Sequence, residues 1–158
     1  MALNFDSRIS AFEQLGLWLE HFLKEVENNR FTDDFNSEFQ AIIERQSREN
    51  GWFTQYNIYS SLAAIRDNLQ AESLNNLRFV YGNRIATSWQ EKIVAVVTGA
   101  FFPLVSFYDF MVVLLTGNVL QIKLHADDKL LLPKIAQKLM EIEPDFSEKI
   151  QFVDQLHD

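Results

Sequence analysis

Cysteine is absent from all 158 residues. Its absence removes disulfides, thiolate metal sites and a cysteine nucleophile from this stretch of chain. Proline and glycine are scarce, at three and five residues, so each marks a specific break. Basic residues are outnumbered, 14 Lys and Arg against 22 Asp and Glu, for a net charge of −8. That balance argues against nucleic acid or an anionic membrane as the main partner. No apolar run is long enough to span a bilayer; the stretch near Phe101–Leu115 is interrupted by Pro103, Ser106 and Asp109. The N-terminus has no basic segment followed by an apolar core, so no secretory signal is read there and a cytoplasmic location is expected.

What is present is a core. Hydrophobic residues make up 47% of the chain and phenylalanine alone contributes 14 positions, enough for one ordered domain. Two regions are expected, a helical one over 1–88 and a strand–helix alternation over 89–158, with the change of pattern near Trp89. In the first region Ile9, Phe12, Leu15, Leu19, Phe22, Leu23 and Val26 recur at helical spacing behind a cap at Asp6 or Ser7, and Asn28-Asn29 ends the helix. Thr32 or Asp33 can cap a second helix that turns Phe35, Phe39, Ile42 and Ile43 inward, and Asn50-Gly51 breaks it. A third helix near Thr54–Asn68 has Tyr56, Tyr59, Leu62 and Ile65 as its inner side. A short fourth, near Ala71–Val80, ends before Gly82-Asn83. The aromatics of these helices sit at core spacing and are read as packing, not as a base-stacking surface.

The second region is organised around residues 92–125. Ile93–Val97 is short, apolar and mostly β-branched, as expected of a strand buried on both faces. Gly99 ends it, and Pro103 sits where a helix can begin, because proline has no N–H to leave orphaned. Leu104–Leu115 is apolar almost all round and should be a buried helix, stopped by Gly117-Asn118. Val119–Leu124 returns as a second strand, making a parallel crossover. Asp127-Asp128 opens a further helix carrying Leu131, Leu132, Ile135, Leu139 and Ile142, in which Pro133 predicts a kink. Lys149–Val153 is the third strand. Three strands leave a bare sheet edge, a surface for a partner or for a second copy of the chain. The fold class expected is therefore α/β, N-terminal helices followed by a partial parallel βαβαβ.

Few residues suggest chemistry. Gly99-Ala100-Phe101-Phe102-Pro103 lies between a strand and a helix, where backbone N–H groups can face an anion, but it matches neither glycine-rich phosphate motif and by itself reads as a connecting loop. Lys123 leaves the second strand near its C-terminal end, where open α/β sheets bind ligands; a lysine there can bond ribose hydroxyls or pair with phosphate, or it can simply be solvated. His125, two residues on, can reach the same ligand. His21 reads as a surface residue, His157 lies in the tail, and Asp109 suits the helix dipole. No metal-ligand spacing occurs.

Phe102-Pro103-Leu104-Val105-Ser106-Phe107-Tyr108-Asp109-Phe110, followed by Leu114-Leu115-Thr116-Gly117-Asn118 and Ile122-Lys123-Leu124, resembles the acyl-CoA reductases of the aldehyde dehydrogenase superfamily, relatives of the long-chain fatty acyl-CoA reductase of bacterial luminescence. Asp128-Lys129-Leu130-Leu131-Leu132-Pro133, Ile142-Glu143-Pro144-Asp145-Phe146 and the opening Arg8–Gly16 fit the same pattern. The resemblance covers the chain as the N-terminal part of a longer enzyme. It implies a Rossmann-like cofactor domain and an NADPH-dependent oxidoreductase that reduces acyl-CoA to a fatty aldehyde through a cysteine thioester. It places Lys123 at the adenosine ribose of NADP, and Pro103 and Leu104 beneath the nicotinamide and acyl site. Three departures follow. The family has Gly-Asn where Ala100-Phe101 stand, and its asparagine donates to an oxyanion. Ser106 and Tyr108 replace a glycine and a histidine. The cysteine region is not in these 158 residues, so the segment is expected to be inactive alone. The alternative is a non-catalytic relative that binds a nucleotide or a partner protein.

Overall fold

The computed structural model describes residues 3–87 and 90–156, and Trp89 and His157 lie outside them. Four helices come first: α1 (Phe5–Glu27), α2 (Asp34–Glu49), α3 (Gln55–Asn68) and α4 (Ala71–Thr87). The chain then alternates through β1 (Ile93–Val97), α5 (Phe107–Leu115), β2 (Val119–Lys123), α6 (Leu131–Ile142), a 3₁₀ turn (Pro144–Glu148) and β3 (Ile150–Phe152). The three strands form one parallel sheet in the order β1-β2-β3. Ile93 pairs with Val119 at one end and Val97 with Lys123 at the other, while Leu120 pairs with Ile150. The α/β class read from the sequence is present.

Alternation along the strands sorts the sheet into two faces. Leu120 and Ile122 are fully buried, with Val94 and Val96 packed beside them, and α5 packs against both β1 and β2. The opposite face of β1 is open: Ile93 is 62% and Val97 65% exposed. The expectation of a strand buried on both faces is therefore corrected. β1 is an edge strand covered on one side only, and β-branched composition does not distinguish the two cases.

Helix α1 is the hub, packing against α3, α4, α5 and α6. Its buried face carries Ile9, Phe12, Leu15, Leu19 and Phe22. Phe12 meets Phe110 of α5 and Phe146 of the 3₁₀ turn edge-on, at 6.4 and 5.9 Å. Both are favoured aromatic geometries, and they weld the helical region to the sheet region. Phe22 and Phe39 lie 4.8 Å apart between α1 and α2. Beside them Glu25, 5% exposed, accepts from Asn36 Nδ2 at 2.6 Å and from the Thr32 N–H at 2.9 Å. Burial pushes this carboxyl up, but the hydrogen bonds from Thr32 and Asn36 outweigh it and leave the pKa lowered. Its contribution to stability is present at neutral pH and lost as acid protonates it.

Several local expectations change. The cap of α1 is Asn4, whose side chain accepts from the Ser7 N–H, not Asp6 or Ser7. Tyr56 is 79% exposed; Ile58 takes the inward place, since Ile58, Leu62 and Ile65 recur at i, i+4 and i+7 on one face of α3. Helix α4 runs through Gly82 to Thr87, since a single glycine costs a helix only about 1 kcal/mol. Pro133 causes no break, because α6 starts at Leu131 and a third-position proline has no intrahelical N–H bond to lose.

The end of α5 is built with care. Gly117 N–H donates to Leu114 O (2.9 Å) and Asn118 N–H to Val113 O (3.2 Å), the paired bonds of a Schellman stop, with Gly117 left-handed at φ +78°. The Leu115 carbonyl that remains accepts from Arg8 Nε at 2.9 Å. A Cβ on residue 117 would lie 2.8 Å from Arg8 Nη1. Gly117→Ala should therefore cost about 1–2 kcal/mol in backbone strain alone, and more once Arg8 is displaced, measured as a lowered urea midpoint with unchanged slope. Wild-type stability would mean that the Arg8 contact is dispensable.

Candidate functional site

The C-terminal ends of β1 and β2 lie side by side, and the chain fastens them together beyond the last ladder pair. Thr98 N–H donates to Lys123 O at 3.0 Å. His125 N–H donates to Thr98 Oγ1 at 2.8 Å. Two loops then diverge, Gly99–Ser106 toward α5 and Leu124–Leu130 toward α6.

The first loop is not the start of a helix. Helix α5 begins at Phe107, four residues after Pro103, because Leu104 is left-handed at φ +59°. A non-glycine residue in that region is strained. The expectation of a helix over Leu104–Leu115 opened by Pro103 is corrected accordingly, and the helix N-terminus does not lie at Gly99–Pro103 as an anion-facing loop would require. Phe107 N–H donates to Leu104 O at 3.0 Å, closing the turn. Pro103 and Leu104 point inward, Leu104 only 3% exposed, while Phe101 (82%) and Phe102 (67%) project outward. Val105, Tyr108 and Val112 are also exposed, so α5 is buried on one side and not all round.

The second loop is pinned from the helical region. Asp127 O accepts from Gln46 Nε2 at 2.8 Å and from Asn50 Nδ2 at 3.4 Å. His125 Nδ1 accepts from the Asp127 N–H at 3.2 Å and lies 3.7 Å from Asp127 Oδ2.

Two cavities open at these strand ends. The smaller, about 180 Å³, lies between the ends of β2 and β3 and is lined by Lys123, Lys129 and Asp154 among others. Among the described residues neither lysine has an ion-pair partner. The larger, about 650 Å³, is walled by Trp52, Asn57, Phe101, Phe102, His125 and Asp127. The four residues singled out from the sequence are thus distributed. Lys123 faces the small cavity and His125 the large one, so the two do not share a pocket. Pro103 and Leu104 stand behind the large one, buried.

Sequence reasoning missed three participants. Trp52 and Asn57 reach the large cavity from the N-terminal region, and nothing local announces a residue whose role depends on a distant loop. Asp128 was read as a helix opener. It is instead a buried carboxyl, 5% exposed, with Oδ1 lacking any hydrogen-bond partner. Burial pushes its pKa from 3.8 up to about 6, against the smaller opposing effects of the Leu104 backbone N–H and of His125.

No protein-family model matches the chain, and no curated protein or solved structure matches it either. Among the described residues no helix is long and apolar enough to cross a membrane.

A carboxyl raised from 3.8 to about 6 holds its proton in the folded state where the unfolded chain has lost it. Its effect on stability is thus most favourable below about pH 4 and is lost as pH rises through about 6. At neutral pH the cost is roughly 3 kcal/mol. Asp128→Asn, which keeps an acceptor and removes the charge, should raise stability at pH 7 by about 1–3 kcal/mol and flatten the pH dependence between about 4 and 6. Urea titrations at both ends of that window measure this, and a variant less stable at pH 7 with the slope intact would show that the charge is compensated.

Proposed function

We propose that this chain forms the start of the cofactor-binding domain of an NADPH-dependent acyl-CoA reductase of the aldehyde dehydrogenase type, with a Rossmann-like half-sheet. The observation that carries the reading is the ordered set of residue matches from Arg8 to Phe146, in which Lys123 falls at the end of the middle strand of a parallel sheet. Ligands of open α/β sheets bind outside the carboxyl ends of the strands. Lys123 is exposed there, beside a cavity that also holds Lys129 and Asp154. The donor set suits NADP: ammonium groups for phosphate and ribose hydroxyls, and an apolar cleft across β2 for a flat ring or an acyl chain. When bound, the cofactor would supply hydride to a thioester. Lys123 would hold the adenosine end, and the Phe101–Phe102 side would exclude water from the other. The acyl-accepting cysteine of that mechanism lies outside residues 1–158 in this reading.

A second reading has one observation in its favour. Phe101 stands where the resemblance expects an oxyanion-donating asparagine, and it points into solvent at 82% exposure. Loss of such a donor costs about 10²–10³ in rate. A non-catalytic relative that binds a nucleotide or a partner would tolerate it, and the open apolar face of β1 would serve as the partner surface.

Lys123→Ala should weaken NADPH binding about tenfold or more, the worth of a hydrogen bond to a charged group, with stability unchanged because the side chain is exposed. Titration calorimetry measures both variants. Equal affinities would reduce Lys123 to a solvated strand end, and no NADPH binding by the wild type, in this chain or in any longer native product that contains it, would favour the second reading.

A further inference from the structure

The sheet is covered on one face and bare on the other. Its connections step the same way, from β1 to β2 to β3, and right-handed crossovers, the rule for such connections, carry α5 and α6 over a single face. Leu120 and Ile122 point to that face, with Val94 and Val96 beside them. The alternate residues point the other way. They include Ile93, Ala95 and Val97 of β1, all exposed, Gln121 and Lys123 of β2, and Gln151 of β3, whose Oε1 accepts from Gln121 Nε2 at 3.2 Å. A parallel sheet ordinarily has both faces covered.

The charges at this face are arranged end to end. The chain carries 22 acidic residues, yet the strand residues of the bare face include none. Lys123 is the one charge among them. It stands exposed at the C-terminal end, opposite Val97, and has no ion-pair partner among the described residues. Glu91 stands at the other, N-terminal end, exposed and joined to Lys149. The β1 row between the two ends is apolar. Acid, apolar row and base in this order complement themselves when turned end for end, which is the condition for a contact about a two-fold axis. Two copies can meet here without the like-charge repulsion that a net charge of −8 imposes elsewhere.

We propose that the bare face is an interface between two copies of this chain, stacked face to face with their strands antiparallel. Ile93 and Val97 of one copy then lie on the partner's Val97 and the partner's Ile93, and Lys123 pairs with the partner's Glu91. The strands are short, and the patch they make is only about 14 Å by about 17 Å, well below a standard interface. The dimer is therefore weak and concentration-dependent. This inference names an occupant for the open β1 face on which the second functional reading rests, and it requires no nucleotide.

Sedimentation velocity on the whole chain, from about 10 μM to about 1 mM, covers the range expected of so small an interface. The expected result is a monomer at the low end and a dimer at the high end. Val97→Glu buries an unpaired charge in the apolar row and should weaken the dimer about tenfold or more, with the urea midpoint of the monomer unchanged because the side chain is exposed. Lys123→Glu and Glu91→Lys each bring like charges together across the axis and should each weaken it about tenfold, and combining the two should restore it. A wild-type chain that stays monomeric throughout would overturn the proposal and leave the face to a different protein; this result requires no variant to fold. A dimer that Val97→Glu leaves intact, or a double variant no tighter than either single one, would overturn it as well. NADPH titration is run apart from these measurements. A dimer that binds no NADPH keeps the interface and sinks the cofactor reading, and NADPH binding by a strictly monomeric chain does the reverse.

Discussion

The Arg8 guanidinium joins the first helix to the turn between α5 and β2, and the sheet region hangs on that joint. It is 9% exposed, it donates to the Leu115 carbonyl at the end of α5, and it donates again to Leu3 O. A cation suits the negative end of a helix. Burial lowers its pKa, yet a guanidinium stays protonated, so the positive charge at this helix end is permanent. The arrangement admits only a residue without a side chain at position 117, and it fixes where β2 begins. β2 in turn is the middle strand, so its placement decides where both cavities lie. The Phe12 contacts to Phe110 and Phe146 then fill the space below the joint.

The C-terminal ends of the strands show the opposite economy. There the chain accepts a left-handed leucine, a carboxyl without a counter-ion and two exposed phenylalanines within one small region. The core below is better satisfied: Asn36 serves Glu25 and also accepts from Trp18, and Lys134 meets Glu38 while lying over the Phe35 ring, with Gln121 Oε1 on β2 left without a partner. A polar network that is fully bonded stabilises; one left half-bonded costs. The contrast between these two parts is the physical reason to place function at the strand ends.

Much of the fold was legible because its signals are local. The period of α1, the asparagine stop at Asn28-Asn29, realised as a left-handed Asn29, and the Gly117-Asn118 stop all act within a few residues of where they stand. The strand–helix–strand order was legible for the same reason. What escaped was settled by contacts distant in sequence. Whether β1 is covered on one face or two depends on which helices reach it. The end of α4 depends on its packing against α1, which carries the helix past a glycine. Of the site, Lys123 and His125 were legible as strand-end residues, but their separation into two cavities was not, because the chain turns away from the strand between them. Asp128 was invisible as a site residue. A pair of aspartates before an apolar run is a helix signal first, and only the burial that the fold imposes gives one of them another character.

Phe101 is the residue on which the two functional readings diverge, and its surroundings explain why both persist. The backbone that carries it is held by the Thr98 contacts to Lys123 and His125 and by the turn at the left-handed Leu104. A loop whose only task is to connect a strand to a helix does not need a left-handed leucine; a glycine at that position would relieve the strain at no steric cost. The side chain, however, cannot donate a hydrogen bond, so whatever the loop positions at residue 101 is an apolar surface. Together with Phe102 and Trp52 it makes a wall for a flat or aliphatic group. Binding at this cleft is therefore better supported by the geometry than oxyanion chemistry is. If the chain belongs to a working reductase, charge developing at the thioester must be met by a donor other than the side chain of residue 101.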